Sequence, residues 1–324
     1  MRAWRVHAWG EPESMRLEEV ETPPVGPGEV RIRNRAAALN FFDILQVQGK
    51  YQLKPPFPFI PGAEVAGVVD AAGPNVEGWT PGERVMAISR GNAFADFSIV
   101  KASNVFRLPP SMTFPEAAAV PIAYHTSYFA LHQRGQLRAG ETLLVHAGAS
   151  GVGMAAIQIG CALGARVIAT ASTEEKREFA RAQGAELALD YGSEQWVDHV
   201  KDATGGVGAD VIYDPVGGDV FDQSTKCIAP EGRLLVVGFT SGRIPTIATN
   251  RILLKNMAVV GVLWGGYLQA HPAYSGPVHA AISSWYEQGK IRPSIGAVWQ
   301  FDETPTGLRA LAARKVLGKA VIVM

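Results

Sequence analysis

The 324 residues carry 30 Lys and Arg against 30 Asp and Glu, a balance that leaves no electrostatic footprint for nucleic acid or an anionic membrane surface. With 47% hydrophobic residues there is ample material for buried cores, and the length exceeds that at which one core usually keeps growing, so two domains are expected. Two cysteines, Cys161 and Cys227, exclude a disulfide framework and suit a reducing compartment; both read as small core residues.

The amino-terminal stretch MRAWRVHAWG lacks a sustained apolar run and alternates like a strand, so neither a secretory leader nor a membrane segment is expected, and a cytoplasmic location follows. From Met1 to about Pro121 short alternating runs, VRIRNRAAAL, EVAGVVDAAG, RVMAIS and DFSIVKA, are separated by Pro and Gly clusters, which predicts a small, mainly β domain. From about Ala123 to Val262 strands alternate with helices: LLVHA, a helix, RVIATA, the helix TEEKREFARAQ, LALD, SEQWVDHVKDAT, DVIYDPVG, a helix through Phe221 to Ala229, RLLVVGF and MAVVGVLW. That alternation predicts a doubly wound parallel sheet. The tail reads as a helix from about Gly276 to Gln288, another near Pro305 to Leu317, and a last strand KAVIVM that returns to the first domain.

Within this order, ETLLVHAGASGVGMAAIQIGCALGARVIATA reads as strand, glycine-rich turn, helix and strand, the unit that holds a dinucleotide pyrophosphate. Gly148, Gly151 and Gly153 allow a tight turn and a close approach to phosphate, and the helix opening near Gly151 aims free N–H groups at the anion. Ser150 stands where the middle glycine of GxGxxG would be, but the second strand closes a unit of about thirty residues, the expected length.

That second strand ends in Ala171 and Ser172, with no acid before Glu174, and Lys176 and Arg177 follow. An NAD site usually places an acid here for the ribose hydroxyls, whereas a 2′-phosphate is repelled by an acid and welcomed by a hydroxyl and a cation, so NADPH is the expected cofactor. Alone, Lys176 and Arg177 read better as an ordinary solvated face with Glu174, Glu175 and Glu178; the missing acid tips the balance toward a phosphate.

The strings AAALNFFDILQVQGKY, PFIPGAEVAGVV, AAAVPIAYHTSYFAL, VHAGASGVGMAAIQIGCALGARVIAT and ARKVLGKAVIVM span nearly the whole chain. Together they resemble the zinc-free members of the medium-chain dehydrogenase/reductase superfamily, in particular the NADPH:quinone oxidoreductases related to ζ-crystallin. The resemblance implies an α/β fold, a Rossmann-type doubly wound parallel sheet over 123–265 and a mainly β GroES-like catalytic domain from 1–122 and 266–324. Where the zinc alcohol dehydrogenases of the superfamily place ligands, this chain has Asn40, Ala63 and Ile122, and two cysteines cannot build a tetrathiolate lobe, so no metal is expected. Asp43 and Glu64 persist and read best as parts of a hydrogen-bond network.

The resemblance further implies that Asn40 and Tyr51 lie beside the nicotinamide, with Tyr51 either a proton donor or a packing and lid residue. Thr126, Gly148, Ser150, Gly151, Val152 and Gly153 are implied on the cofactor, Ser172, Lys176, Tyr191 and Arg314 at the adenosine phosphate, and Phe239 and Trp264 at the nicotinamide wall. Without a Lewis acid, hydride addition suits a small hydrophobic quinone or enone, whose reduced anion is delocalised, better than a simple ketone. Three readings stay open: a quinone reductase, a reductase of enals, enones or enoyl thioesters, and an NADPH-binding structural or interaction protein. Family relatives pair as homodimers through nucleotide-domain edge strands, and MAVVGVLW is either such an edge or an interior strand.

Overall fold

The computed structural model describes residues 1–89 and 91–324, which divide into two compact units. The first comprises residues 1–122, 272–283 and 293–324; the second comprises 123–271 and 284–292.

The first unit is built on the long strand Glu29–Leu39. Its alternating Val30, Ile32 and Asn34 point inward before the all-buried run from Ala36 to Leu39, so one end of the strand is half-wetted and the other fully enclosed. Glu64–Ala72 and Phe97–Lys101 pair with it antiparallel, and so does the final strand Lys319–Val323, bringing the two ends of the sequence into one sheet. Ile295–Gln300 joins the outer side of the final strand in parallel. At Gly67 a Cβ would lie 2.1 Å from the Arg33 carbonyl oxygen, so glycine is required where the two central strands close together.

The second unit is a six-stranded, wholly parallel sheet. Its order is Leu187–Asp190, Arg166–Ala171, Thr142–Val145, Ala209–Asp214, Ile228–Val236 and Ala258–Gly261, or 3-2-1-4-5-6 in chain order. That is the doubly wound, dinucleotide-binding order, and its direction reverses between Thr142–Val145 and Ala209–Asp214. Leu143, Leu144 and Val145 are fully buried, as a strand covered on both faces requires.

Several expectations need correction. Residues 266–271 and 284–292 group with the second unit, because Tyr267 packs on Phe129, Trp285 packs on Tyr128, and the Arg292 carbonyl accepts from Gln158 Nε2 at 2.8 Å. The helix near the carboxyl terminus stops at Ala312, well before Leu317, because Arg314 turns left-handed at φ 56°. Cys227 is buried, but Cys161 is exposed: it occupies the last turn of helix Gly151–Ala162, and its thiol reaches the Gly184 carbonyl instead of the core.

Candidate active site

In the first unit the strand Glu29–Leu39 runs into Asn40, which is extended (φ −125°, ψ 152°) and starts the helix Phe41–Val47. Asp43, three residues on, reaches back so that its Oδ2 accepts the Asn40 backbone N–H at 2.8 Å. Because Ala320 pairs with Leu39, strand register sets Lys319 opposite Asn40, while Glu64 opens the strand on the other side. The Lys319 ammonium donates to Asn40 Oδ1 at 2.8 Å and to Glu64 Oε1 at 2.6 Å. Asn40 Nδ2 donates to the same Glu64 oxygen at 2.9 Å, and Glu64 Oε2 accepts the Ile122 N–H at 2.7 Å.

Both members of this ion pair are buried, Lys319 at 3% and Glu64 at 0% exposure, so the pair persists through its mutual charge and its hydrogen bonds. Asp43 is also fully buried, with Oδ1 unpartnered among the described residues, and burial pushes its carboxyl up to about 8. Near neutral pH it is largely protonated, so the cluster holds one ammonium against one full carboxylate.

Two of the positions at which the resemblance set metal ligands, Asn40 and Ile122, are therefore tied together through Glu64 and the Lys319 ammonium. Asn40, Ala63 and Ile122 offer no thiolate or imidazole, and the one nearby carboxylate already neutralises Lys319; these donors do not fit a zinc ion.

Tyr51 lies beyond the same helix, half-buried, with its ring 5.5 Å from that of Phe42. Burial first, and the neighbouring Asp43 charge second, raise its phenol above the ordinary value, so it holds its proton through neutral pH.

In the second unit the glycine loop departs from the reading of its motif. The left-handed residue is Ala147, at φ 51°, while Gly148 and Gly153 are needed for space. A Cβ on Gly153 would stand 2.1 Å from the Ala147 carbonyl oxygen, and one on Gly148 would stand 2.9 Å from the Ala169 Cβ. Ser150 has a task that explains the missing glycine. It is the N-cap of helix Gly151–Ala162, accepting the Gly153 N–H at 3.1 Å and donating to the Ala147 carbonyl at 2.8 Å. Helix geometry leaves the first-turn N–H groups of Gly151 and Val152 without intrahelical acceptors, the arrangement that fits a pyrophosphate.

One residue past the Ala171–Asp190 pairing, Ser172 and Tyr191 stand at the ends of neighbouring strands, and Lys176 lies in the first turn of helix Glu174–Ala182. Arg177 is engaged elsewhere: it pairs with Glu174 at 2.8 Å and Asp190 at 3.1 Å. The same Glu174 also holds Arg181, so this acid is consumed by arginines. Thr126 is half-buried on helix Ala123–Tyr128, and its neighbour Ser127 donates to the Val152 carbonyl at 3.1 Å. Phe239 is 38% exposed beyond strand Ile228–Val236 and closes over Gly217, whereas Trp264 is buried against Phe129 and His125. Arg314 belongs to the first unit and is exposed.

Two features escape sequence reading. Lys319 gave only the signal of a charged residue opening an apolar terminal strand. Asp214 ends the strand beside the switch point, where its Oδ1 accepts the Val216 and Gly217 N–H groups at 2.8 and 2.9 Å, and burial raises its carboxyl to about 6. The dipeptide Asp-Pro after an apolar strand was its only trace.

Family models match both units: an alcohol dehydrogenase GroES-like domain over 26–110 and a zinc-binding dehydrogenase domain over 151–279. Quinone oxidoreductase of Pseudomonas aeruginosa is 34% identical over 321 residues, covering 97% of each chain. The chain belongs to the medium-chain dehydrogenase/reductase family. Among other members of that family, quinone oxidoreductase-like protein 2 of Rattus norvegicus is 35% identical over 311 residues, covering 96% of this chain and 89% of its own. A mycobacterial protein solved in complex with NADPH is 30% identical, with a TM-score of 0.94 and complete coverage of both chains. Among the described residues, no group of three or more His, Cys, Asp or Glu is placed to hold a metal ion, and no helix is long and apolar enough to cross a membrane.

Proposed function

We propose that this family member is an NADPH:quinone oxidoreductase that delivers hydride directly to a small hydrophobic quinone. The observation that carries the reading is the amide, ammonium and carboxylate network at Asn40, Lys319 and Glu64, whose donors suit an acceptor that needs no Lewis acid. A simple ketone would become an alkoxide, a strong base; a quinone becomes a hydroquinone anion stabilised by aromaticity, for which one or two hydrogen bonds of about 1–3 kcal/mol suffice.

NADPH supplies the hydride and its two electrons. In this reading the Gly151 and Val152 N–H groups, with Gly148, Ser150 and Gly153 shaping the loop, take the pyrophosphate. Ser172, Lys176 and Tyr191 take the 2′-phosphate side. Thr126, Phe239 and Trp264 position the nicotinamide, and Asn40 and the protonated Tyr51 offer hydrogen bonds to oxygen at the reacting end. The enzyme is cytoplasmic and pairs as a homodimer through strand Ala258–Gly261, which ends the sheet beside the helix carrying Leu253 and Leu254, exposed by 74% and 80%. Light scattering checks the pairing: a particle of one 34.6 kDa chain sinks it.

The test of function is NADPH and NADH oxidation, side by side, with 1,4-benzoquinone, 9,10-phenanthrenequinone and an α,β-unsaturated ketone. Turnover that prefers NADPH and quinones and survives chelator is the expected result. Turnover confined to the enone moves the assignment to an enone reductase, and NADPH binding without turnover moves it to an interaction protein.

A further inference from the structure

The side-chain amide of Asn40 sits between a group that can only donate and one that, as a carboxylate, can only accept. Lys319 Nζ meets Oδ1 at 2.8 Å and Glu64 Oε1 meets Nδ2 at 2.9 Å, while the ammonium and carboxylate close the triangle at 2.6 Å. Flipping the amide would set oxygen against carboxylate and N–H against ammonium, two repulsive contacts in a buried site. The orientation is therefore dictated by chemistry. One Nδ2 hydrogen is spent on Glu64; the second makes no hydrogen bond of ordinary length, although the Asp43 carboxyl lies close enough to feel the Asn40 side chain. Oδ1 is covered by the ammonium, so Asn40 can offer an incoming group a hydrogen and little else.

We infer that Lys319 is a positioning residue that makes Asn40 a hydrogen-bond donor, so that Asn40 recognises an acceptor oxygen: a quinone carbonyl or an oxygen of the NADPH nicotinamide half. The inference rests on the reading above that Asn40 acts at the reacting end. Lys319 itself touches no ligand. Its ammonium selects which end of the amide faces outward, a task that a charge-neutral packing residue of the same length would not perform.

The deciding variant is Lys319→Met combined with Glu64→Gln, assayed in the full-length protein. It removes both buried charges together, and the amide introduced in place of the Glu64 carboxylate, with its oxygen still accepting from Ile122, turns its NH2 toward Asn40, which then pairs through Oδ1 in the flipped orientation. The double variant is expected to melt within a few degrees of the parent, yet lose about tenfold or more in kcat with 1,4-benzoquinone or in NADPH affinity by fluorescence titration. Loss confined to kcat and KM for quinone assigns the acceptor oxygen to the substrate; loss in NADPH Kd assigns it to the cofactor. A folded double variant with parental kcat, KM and Kd overturns the inference and leaves Lys319 with a structural role. Asn40→Ala separates the two levels: parental kinetics there overturn the underlying reading of Asn40, whatever Lys319 does. If the double variant does not fold, the parent protein decides through its Asn40 side-chain amide NMR signal, identified by its absence in Asn40→Ala. One Nδ2 proton should be protected from exchange and the other should shift on adding NADPH or 1,4-benzoquinone; no shift with either overturns the inference.

Discussion

The glycine loop of the second unit and the polar cluster of the first are held in shape by opposite means. The loop is made from consecutive residues, Ala147 to Gly153, and relies on backbone: a left-handed alanine, a serine cap, and a helix packed too closely to admit a Cβ at Gly153. The cluster draws Asn40 and Asp43 from one segment, Glu64 from a second, Ile122 from a third and Lys319 from the far end of the chain, and relies on side-chain charge. A site made of local backbone tolerates any neighbour that leaves its space empty. A site made of buried charge depends on every partner being present.

The sharpest way to break this comparison is Glu64→Ala. It leaves the Lys319 ammonium buried without its carboxylate, and the cost should be about 3–5 kcal/mol in urea or thermal unfolding. A loss below about 1 kcal/mol would mean that water or a rearranged neighbour replaces the carboxylate, and that the cluster is not the charge-dependent site described.

Gly153→Ala probes the loop. The 2.1 Å approach is to a backbone oxygen that cannot rotate away, so the helix must shift, at about 1–3 kcal/mol of stability and with a larger proportional loss in NADPH binding. Unchanged NADPH affinity would detach the loop from the cofactor.

The smallest expected effect concerns pH. Burial raises Asp43 to about 8 in the folded chain, while in the unfolded chain a carboxyl titrates near about 3.9, so between these values the folded state holds the extra proton and stability falls as pH rises. His146, bonded to Thr170 and Ser224 and lowered by burial to about 3, acts in the opposite sense, its contribution growing up to its unfolded value near about 6.5. The Asp43 slope is therefore clearest from pH 6.5 to 8, where urea midpoints should drop by the equivalent of about 1–2 kcal/mol. In Asp43→Asn that decline should disappear; a parental slope in the variant would assign it to other groups.

Much of the second unit was legible because its signals are local. Unbroken apolar runs marked the buried strands, and the spacing of glycines after Val145 marked the turn. The missing acid at Ala171 and Ser172 pointed to NADPH over NAD. The same reading gave Arg177 its neighbour Glu174 but not Asp190, which comes from the next strand, and it misjudged Cys161, since burial in the last turn of a helix depends on what packs there. Asp43 and Glu64 were recognisable as a network, but not their third member.

By itself, then, the sequence determined which segments are strands and helices, that they form a mainly β unit and a doubly wound one, and where the glycine-rich turn lies, because side-chain periodicity and backbone freedom act over a few residues. Only the tertiary structure decided that Ala147 makes the left-handed turn, that Ser150 serves as the cap, and that Lys319 completes the cluster at Asn40. The pairing of Lys319 with Asn40 and Glu64 follows from the antiparallel register of strands more than two hundred residues apart, where a slip of one residue would turn the lysine to the opposite face of the sheet.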